Sequence, residues 1–410
     1  MQNDPERSRR ELERALGETP AYQRWRDLDP GPRATVDDRF AALPLTSKDD
    51  LRAAAPRGFA PVDADFEGAL ARGEIELVTT SGTTGAPTSL VWVQAWWNAS
   101  EAASWQLNRN LAAVATGTHR ECVLASARCV GPPPEGRPRS MSERTLGRLL
   151  FLNETADVAL WSDTDVRRMA DELARHRPPV LEADASYLAA FCARAEALSL
   201  SLFCPAQIVV TYGRPSRLQL ARIGRSIPAP VASSYGSTET GYVFLSCERG
   251  KYHQNVASCR VDLLPFGDAP SVARLAVTPF SNPWMCLLRY DVGDLVRVAP
   301  EGCACGRVGG NVLDDVLGRV EDVSWTAGGK PITAAALDDA VAEVPAASAI
   351  VSYQVEQERP GDVHLRAVAL GRLDEASLVE RLRSLYGGRA IVESVPALEP
   401  RASGKYPYRR

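Results

Sequence analysis

The stretch Thr79-Thr80-Ser81-Gly82-Thr83-Thr84-Gly85-Ala86-Pro87-Thr88 follows a strand-like run at residues 75–78 and combines two glycines with a row of hydroxyl side chains. Glycine lets the backbone turn tightly, and successive N–H groups in such a turn form a concavity that holds anions. The stretch therefore predicts a loop that binds a polyphosphate. It is not a Walker A loop, because the G-x-x-x-x-G-K-[ST] pattern is absent. An ordinary Ser/Thr/Gly turn between two strands is the alternative.

Length and composition indicate a soluble, cytoplasmic protein of two or three domains. The 410 residues are 45% hydrophobic, which is enough for a large core. No apolar run is as long as a membrane span, and residues 1–14 lack the apolar region of a signal peptide. The net charge of −4, with both signs mixed along the chain, provides no basic surface for nucleic acid. We therefore expect neither a membrane nor a nucleic acid as a partner.

The pattern of apolar runs predicts an α/β fold with two domains. Short apolar runs alternate with amphipathic segments between residues 122 and 227, which is typical of a largely parallel sheet covered by helices. After residue 322 the pattern changes to that of a small α+β unit. We therefore predict a large N-terminal α/β domain over residues 1–319, a small C-terminal α+β domain over residues 320–410, and a hinge between them.

An aromatic, helix-like stretch lies between residues 92 and 113. Trp92, Trp96, Trp97 and Trp105 are spaced so that they could share one face of a helix. Core packing and the lining of an aromatic substrate pocket are the two interpretations of this pattern.

Two further polar blocks could contact a nucleotide. The block Tyr235-Gly236-Ser237-Thr238-Glu239-Thr240-Gly241 contains a ring that could stack on a base and one carboxylate. Because Mg²⁺ takes few protein oxygens and keeps phosphates and waters as ligands, Glu239 could bind it beside a polyphosphate; a solvated acid in a turn is the alternative. A second block consists of strand-like runs at residues 275–280 and 285–296 with a Gly-Asp turn between, where Asp294 could accept from two ribose hydroxyls.

Together these blocks resemble the adenylate-forming superfamily of acyl-CoA synthetases and luciferase-like ligases, and most closely its short phenylacetate-CoA ligase-like branch. The resemblance extends from residues 43–52 to the C-terminal loop Arg401-Ala402-Ser403-Gly404-Lys405. It implies that the large domain is an ATP- and acid-binding adenylation domain and that the small domain is a mobile lid. The chain has only four lysines, at positions 48, 251, 330 and 405, so Lys405 stands where this composition favours arginine. A solvated tail is the alternative for this segment.

The resemblance also implies a role for each matched residue. The phosphates would be held by Thr80, Ser81, Gly82, Thr83, Thr84 and Gly85. The nucleoside would be bound by Gly213, Arg214, Pro215, Ser234, Tyr235, Gly236, Ser237, Thr238, Asp294 and Arg319. Catalysis would depend on Lys405, Arg319 and the Mg²⁺ ligand Glu239, with Glu321 as the hinge residue. The substrate pocket would include Tyr235, Gly241 and Tyr242.

The implied reaction is ATP- and Mg²⁺-dependent activation of a small carboxylic acid as an acyl-adenylate, followed by transfer to the thiol of CoA. The branch resemblance favours an aromatic acid. An acyl carrier protein thiol, an amine or another nucleophile is the alternative acceptor, and a homodimer is one possible assembly. Ala86 stands where the family ordinarily has lysine, which removes a charge-assisted contact to the leaving pyrophosphate. A non-catalytic nucleotide- and zinc-binding relative is therefore a third alternative.

Three cysteines and a histidine form a candidate metal site outside these blocks. Cys247 and His253 lie in one Gly-containing segment, and Cys303 and Cys305 lie in another. A Cys₃His set is typical of a closed, tetrahedral structural Zn²⁺ site. The resemblance supports this prediction, because some members of the phenylacetate-CoA ligase-like branch carry a structural zinc in this region. Unconnected reduced cysteines are the alternative.

Overall fold

The computed structural model describes residues 3–80, 88–114, 119–131, 137–267, 269–401 and 403–409, with only the backbone for Thr80 and Ala346. The α-helices in this part of the chain are α1 Pro5–Glu18, α2 Val36–Ala42, α3 Lys48–Ala54, α4 Phe66–Ala71, α5 Gln94–Trp105, α6 Arg109–Val114, α7 Asp163–His176, α8 Ala185–Ala197, α9 Arg217–Ser226, α10 Ala334–Ala342 and α11 Glu375–Tyr386. Short 3₁₀ helices cover Pro20–Leu28, Arg57–Phe59, Val158–Leu160, Val320–Asp322 and Pro345–Ala349. A helix long and apolar enough to cross a membrane is absent from these described ranges.

The strands are β1 Glu76–Thr80, β2 Thr88–Trp92, β3 Glu121–Leu124, β4 Thr145–Leu146, β5 Leu149–Phe151, β6 Val180–Asp184, β7 Gln207–Thr211, β8 Val231–Ser237, β9 Gly241–Ser246, β10 Tyr252–Gln254, β11 Cys259–Pro265, β12 Val272–Pro279, β13 Tyr290–Val298, β14 Val312–Arg319, β15 Ser324–Trp325, β16 Pro331–Ile332, β17 Ile350–Glu356, β18 Val363–Ala369 and β19 Ala390–Ser394.

The chain divides into two units, each built from two segments. The first unit comprises Met1–Ala112 and Ser234–Val316, and the second comprises Ala113–Ser233 and Leu317–Arg410. The second unit therefore contains the C-terminal residues together with an earlier part of the chain. The predicted division into an adenylation domain (1–319) and a lid (320–410) stays a prediction.

A parallel sheet forms the centre of the second unit. Strand β3 pairs in parallel with β5 and β6, β6 pairs with β7, and β7 pairs with residues 231–233 of β8. Most residues of β3, β6 and β7 are buried, as expected for a parallel sheet covered on both faces. Nine of the 13 residues of helix α8 are buried, and its first turn is capped by Asp184 at the end of β6. The predicted α/β region is confirmed.

The C-terminal part of the second unit is an α+β layer, as predicted. Strand β18 pairs antiparallel with β17 and parallel with β19. Helices α10 and α11 contribute Leu337, Leu378 and Leu382 to a core that includes Leu365 of β18 and the ring of Tyr386.

The first unit contains an antiparallel sheet with the strand order β11-β12-β13-β14-β10-β9-β8. One apolar cluster contains side chains from both ends of this strand order. Tyr235 of β8 and Phe244 of β9 come from one end, and Val277 of β12 comes from the other. The sheet therefore curves around a shared core. The N-terminal helices form a second core around Tyr22, Phe40 and Leu51, and Ser47 and Asp50 form a capping box at the start of α3.

Two local predictions were wrong. Residues 92–113 are not one helix, because Trp92 ends strand β2 and the side chain of Asn108 caps a new helix by accepting from the N–H groups of Asn110 and Leu111. The Gly-Asp pair at residues 293–294 is not a turn between strands. It lies inside β13 at a register shift, where Gly293 has a φ of 76°, so the extra length is taken up by a bulge.

Candidate functional site

The predicted phosphate loop falls in the sequence between strands β1 and β2. Strands β1 and β2 are antiparallel, and their register pairs Thr80 with Thr88. Residues 81–87 connect these strands, so the predicted phosphate-binding residues Ser81, Gly82, Thr83, Thr84 and Gly85 lie outside the described residues, together with Ala86. The polyphosphate-binding loop and the ordinary turn both stay predictions for this stretch.

The predicted adenine and ribose residues contact each other in the first unit. The hydroxyl of Tyr235 donates to a carboxylate oxygen of Asp294 over 2.7 Å. Tyr235 lies on β8 and Asp294 lies on the bulge of β13, and three strands separate β8 from β13 in the sheet order. The curvature of the sheet brings the two side chains together. The phenol orients a carboxylate whose oxygens only accept hydrogen bonds, which suits the predicted contact with hydroxyl groups.

Neighbouring residues of β8 provide a polar surface. The Ser234 hydroxyl is buried and makes no hydrogen bond to the described part of the chain. A buried, unpaired hydroxyl is costly unless a ligand or water satisfies it. Gly236 continues the strand, and Ser237 and Thr238 begin the turn to β9, where the Ser237 and Thr240 hydroxyls lie 3.0 Å apart. These positions suit the predicted nucleoside contacts.

Glu239, the predicted Mg²⁺ ligand, lies in the turn between β8 and β9. Its carboxylate is half-buried, and the hydroxyl of Tyr290 donates to it over 3.4 Å. Mg²⁺ at phosphate sites takes one or two carboxylates and fills its remaining positions with phosphate oxygens and waters. A single oriented carboxylate therefore fits the predicted role.

The predicted pocket residues Gly241 and Tyr242 pack against helix α5. Gly241 has a φ of 68°, and a Cβ there would lie 2.8 Å from the Ser100 hydroxyl and 3.0 Å from the Trp96 ring. The Tyr242 N–H donates to the same Ser100 hydroxyl over 3.0 Å, and the Tyr242 hydroxyl donates to Glu101 over 3.1 Å. Only glycine allows this close approach of β9 to α5.

The tryptophans divide between the two interpretations. Trp105 is buried, which matches core packing. Trp97 is half-buried and lies between Trp92 and Tyr242, with ring centroids 4.5 Å and 4.9 Å away. The indole N–H of Trp96 donates to the Phe280 carbonyl over 2.8 Å. Trp92, Trp96 and Trp97 are all partly exposed, and Trp97 is the one whose ring contacts Tyr242.

The segment around Lys405 belongs to the second unit and is closely packed there. The Gly404 N–H donates to the Arg401 carbonyl over 2.7 Å, and the Arg401 N–H donates to the Lys405 carbonyl over 2.8 Å. Ser403 and Gly404 are buried, and the thiol of Cys129 donates to the Ser403 carbonyl over 3.0 Å. This turn is part of the folded unit rather than a solvated tail.

The buried Tyr187 and the partly buried Tyr406 lie beside the Lys405 turn. The Tyr187 hydroxyl, on α8, lies 2.6 Å from the Ala156 carbonyl oxygen and 3.0 Å from the Gly404 carbonyl oxygen. The Tyr406 hydroxyl donates to Asp157 over 2.8 Å and accepts from the Val158 N–H over 3.2 Å. Burial raises the pKa of both phenols well above the usual range for tyrosine, so both remain protonated donors at neutral pH.

Lys405 lies near the carboxyl ends of the parallel strands, where ligands bind in open α/β sheets. Burial raises the pKa of Asp184 at the end of β6, and the Ser186 N–H and the Lys405 ammonium partly offset this effect. Burial likewise raises the pKa of the Cys129 thiol, and Lys405 again acts in the opposite direction. The charge of Lys405 therefore acts on the buried Asp184 and on the partly buried Cys129.

The segment Gly213-Arg214-Pro215 follows β7, beside the same edge. The Arg214 guanidinium donates to Asp338 of α10 over 3.4 Å and to the Tyr408 hydroxyl over 3.2 Å. Asp338 has no exposed surface, and the Arg217 N–H donates to it over 2.8 Å. Arg214 thus joins the predicted adenine-edge segment to α10 and to the chain just after Lys405.

The predicted hinge begins where β14 ends. Arg319 is the last residue of β14, and Glu321 lies in the 3₁₀ turn that follows. The Glu321 carboxylate lies 3.5 Å from the Arg319 guanidinium and 3.8 Å from that of Arg401. An acid at this position therefore links the end of the strand to the Lys405 turn.

The predicted metal ligands converge in the first unit. The ligand atoms of Cys247, His253, Cys303 and Cys305 all lie within 4.8 Å of one another. The Cys247 and Cys303 sulfurs are 3.7 Å apart, and the Cys305 sulfur is 3.3 Å from His253 Nε2. Zn–S bonds of about 2.3 Å give a tetrahedron whose sulfur–sulfur edge is about 3.8 Å. The donor set and its spacing therefore fit Zn²⁺.

The surroundings of His253 and Cys305 favour their metal-binding forms, whereas burial raises the pKa of Cys303 to about 11. Burial lowers the pKa of His253, with a further contribution from the Arg307 guanidinium, so the imidazole is neutral at neutral pH. At Cys305, burial would raise the pKa, but hydrogen bonds from the backbone and side chain of Arg307 outweigh it and lower the pKa. Neutral imidazole and thiolate are the forms that bind zinc.

Sequence reasoning missed several residues that hold Lys405. Tyr187, Asp184 and Cys129 lie more than 200 residues before it in the chain, and no spacing pattern links them to the C-terminus. The one available signal was the segment Lys405-Tyr406-Pro407-Tyr408, in which two aromatic side chains follow the lysine. Those rings anchor the turn to the rest of the second unit.

Neither a protein-family model nor a curated protein sequence matches the chain. The structure of 2-hydroxyisobutyryl-CoA ligase in the postadenylation state, in complex with 2-HIB-AMP, is similar over 99% of this chain and 88% of that chain, with a TM-score of 0.74 and 18% identity. The o-succinylbenzoate CoA synthetase of Bacillus subtilis, in complex with OSB-AMP, is similar over 80% of this chain and 67% of that chain, with a TM-score of 0.51 and 18% identity. The amide bond synthetase McbA of Marinactinospora thermotolerans is similar over 82% of this chain and 68% of that chain, with a TM-score of 0.52 and 15% identity. The chain therefore has the mixed α/β fold of the adenylate-forming CoA ligases and synthetases, as the resemblance predicted.

Proposed function

We propose that this protein is an AMP-forming acid–thiol ligase, which activates a small carboxylic acid with ATP and transfers the acyl group to CoA. The observation that carries the proposal is the packing of the Lys405 turn in the second unit, beside the carboxyl ends of its parallel strands. A lysine that is held there by buried hydrogen bonds is positioned for a ligand rather than for solubility. The fold shared with CoA ligases and synthetases supports the same conclusion.

In the first half-reaction, a carboxylate oxygen of the acid attacks the α-phosphorus of ATP. A new P–O bond forms, the bond between the α- and β-phosphates breaks, and pyrophosphate leaves. Lys405 would neutralise charge on the carboxylate and α-phosphate, and Mg²⁺ bound by Glu239 would neutralise charge on the phosphates. In the first unit, Tyr235 and Asp294 would bind adenine and ribose, and Ser234 would gain the partner that it lacks among the described residues.

In the second half-reaction, the CoA sulfur attacks the acyl carbon, the bond to AMP breaks, and the thiol proton passes to solvent. The lid would move about Glu321 so that Lys405 withdraws before this step. The structural relatives include an amide bond synthetase as well as CoA ligases, so an amine or a carrier-protein thiol is the alternative acceptor. The proposed acid is aromatic on the branch resemblance, and the half-exposed Trp97 beside Tyr242 supports this choice.

The test is acid-dependent exchange of labelled pyrophosphate into ATP, across a panel of aromatic and small aliphatic acids. Lys405→Ala should reduce exchange by about 100-fold or more, which is the effect of removing one preorganised charge-stabilising group. Lys330→Ala is the matched control, because Lys330 is exposed and also lies in the C-terminal part of the chain. Equal exchange in both variants would remove Lys405 from the reaction.

The acceptor is identified separately. CoA, a phosphopantetheine-bearing carrier protein and a simple amine are each added to an acid that supports exchange, and the acyl product is determined by mass spectrometry. Thioester formation with CoA supports the proposal. If ATP binds but no acid supports exchange, the absence of the usual lysine at Ala86 becomes decisive, and a non-catalytic nucleotide-binding protein is the better conclusion.

We also propose that Cys247, His253, Cys303 and Cys305 bind one structural Zn²⁺. The fit of the four ligand atoms to a tetrahedron supports this site. Metal analysis of the purified protein should find about one zinc per chain. A stable protein without metal would refute the site.

A further inference from the structure

We propose that Tyr187 and Tyr406 are positioning residues that hold Lys405 in place for the first half-reaction. This inference rests on the proposed function of Lys405. The two phenols attach the same turn to the rest of the second unit. Tyr187 bonds the backbone of the residue before Lys405, and Tyr406 is the residue after it.

Tyr187 attaches the Lys405 turn to helix α8. Its ring has no exposed surface and lies in helix α8, which packs on the parallel sheet. Its hydroxyl has one proton and two carbonyl oxygens within reach, those of Ala156 and Gly404. The phenol therefore joins the loop that contains Ala156 to the Lys405 turn.

Tyr406 provides the second attachment. Its ring centroid is 6.1 Å from that of Tyr187, and its hydroxyl is bonded to both the side chain of Asp157 and the N–H of Val158. Both tyrosines thus attach the turn to residues 156–158. Loss of either hydroxyl leaves the ring contacts intact but removes the directional bonds that define where Lys405 sits.

The two half-reactions should respond differently to this loss. Lys405 acts when the acyl-adenylate forms, whereas the attack of the thiol takes place after Lys405 has withdrawn. Tyr187→Phe and Tyr406→Phe should each reduce pyrophosphate exchange about tenfold, which corresponds to about 1.4 kcal/mol. Thioester formation from a supplied acyl-adenylate and CoA should stay within about twofold of the wild-type rate, because the aromatic packing is retained.

A second readout does not depend on the enzymatic activity. The chain has only four lysines, so the rate at which an amine reagent labels Lys405 can be measured by mass spectrometry relative to that of the exposed Lys330. Labelling of Lys405 should rise severalfold in each phenylalanine variant as the turn loosens. Tyr386→Phe is the matched control. It removes a buried phenol bonded to Ser324 over 2.7 Å, in the core of the C-terminal layer, and should change neither readout.

Each outcome decides the matter. Faster labelling of Lys405, together with slower exchange and unchanged thioester formation, supports the proposal. Unchanged labelling overturns it, as does an equal loss of both half-reactions, which would indicate a structural role. If the wild-type protein supports no exchange with any acid, the proposed function fails, and labelling alone then decides whether the tyrosines hold the turn.

Discussion

Replacing Gly404 with alanine tests most directly whether the position of Lys405 matters. A Cβ on Gly404 would overlap the Ser126 hydroxyl and would lie 2.7 Å from Ser126 Cβ and 2.9 Å from the Ala156 carbonyl oxygen. Carbon–carbon contacts are ordinarily about 3.5–4.0 Å. Because Ser126 Cβ and the Ala156 carbonyl cannot rotate away, the Lys405 turn must move by about 1 Å. Gly404 also has a φ of 80°, which disfavours any residue with a Cβ.

A displacement of this size has a predictable effect on catalysis. Misplacing a reacting group by about 1 Å can cost about 100-fold in rate. Gly404→Ala should therefore reduce pyrophosphate exchange by about 100-fold, while thioester formation from a supplied acyl-adenylate changes little. Exchange is measured with the best acid on the panel, and the half-reactions are followed separately.

The control isolates backbone strain from the clash. Gly371 has a φ of 83°, and a Cβ there would meet nothing within 4 Å. Gly371→Ala should therefore show the cost of a strained backbone, about 1 kcal/mol of stability, without loss of exchange. Adding Ser126→Gly to Gly404→Ala removes the nearest obstruction and should restore part of the activity. Wild-type exchange in Gly404→Ala would refute the reasoning.

Three further predictions concern stability. Chelation of the bound metal should lower the melting temperature of the wild-type protein, and the double variant Cys303→Ser/Cys305→Ser should bind no zinc and should not respond to the chelator. Asp29→Asn should cost about 3 kcal/mol because it leaves the buried Arg39 guanidinium without its bidentate carboxylate partner, whose bonds are 2.9 Å and 2.7 Å long. Hydrogen bonds from Arg39 lower the pKa of Asp29, so this contribution is present above the unfolded pKa of about 3.9 and is lost as the pH falls through the folded pKa; a difference between wild type and variant that persists at the lowest pH would contradict it. Leu382→Ala, at a fully buried position, should cost about 2–5 kcal/mol in urea unfolding, and a smaller loss would indicate a loosely packed C-terminal core.

The sequence predicted those parts of the molecule that depend on local order along the chain. The alternation of apolar runs and helices identified the parallel sheet, and the two Gly-containing Cys segments identified the cluster of candidate metal ligands. The residues of each apolar run are neighbours in sequence. The metal-ligand prediction needed no such proximity, because cysteine and histidine are among the few residue types that bind zinc. The pairing of Tyr235 with Asp294 was not predicted, although each residue was selected, because it depends on the curvature of a sheet.

Other features could not be inferred, because tertiary contacts determine them. Gly293 suggests a turn in sequence, and only pairing with the neighbouring strand makes it a bulge. Trp92 fits a helical spacing with the later tryptophans, yet hairpin pairing places it at the end of β2. The Lys405 turn is bonded by the hydroxyl of Tyr187, whose sequence context is that of an ordinary buried helix.

The ion pairs of Glu321 have a consequence for the response to salt. Glu321 faces Arg319 at the end of β14 and Arg401 in the Lys405 turn, and all three side chains are between 26% and 39% exposed. Charges in such contact with water are screened by dissolved ions, over a Debye length of about 8 Å at physiological ionic strength. Added salt should therefore weaken the link between the predicted hinge residue and the Lys405 turn, while the hydrogen bonds of the Tyr187 and Tyr406 hydroxyls remain. The balance between adenylate formation and thioester formation should consequently shift with ionic strength even where substrate binding does not.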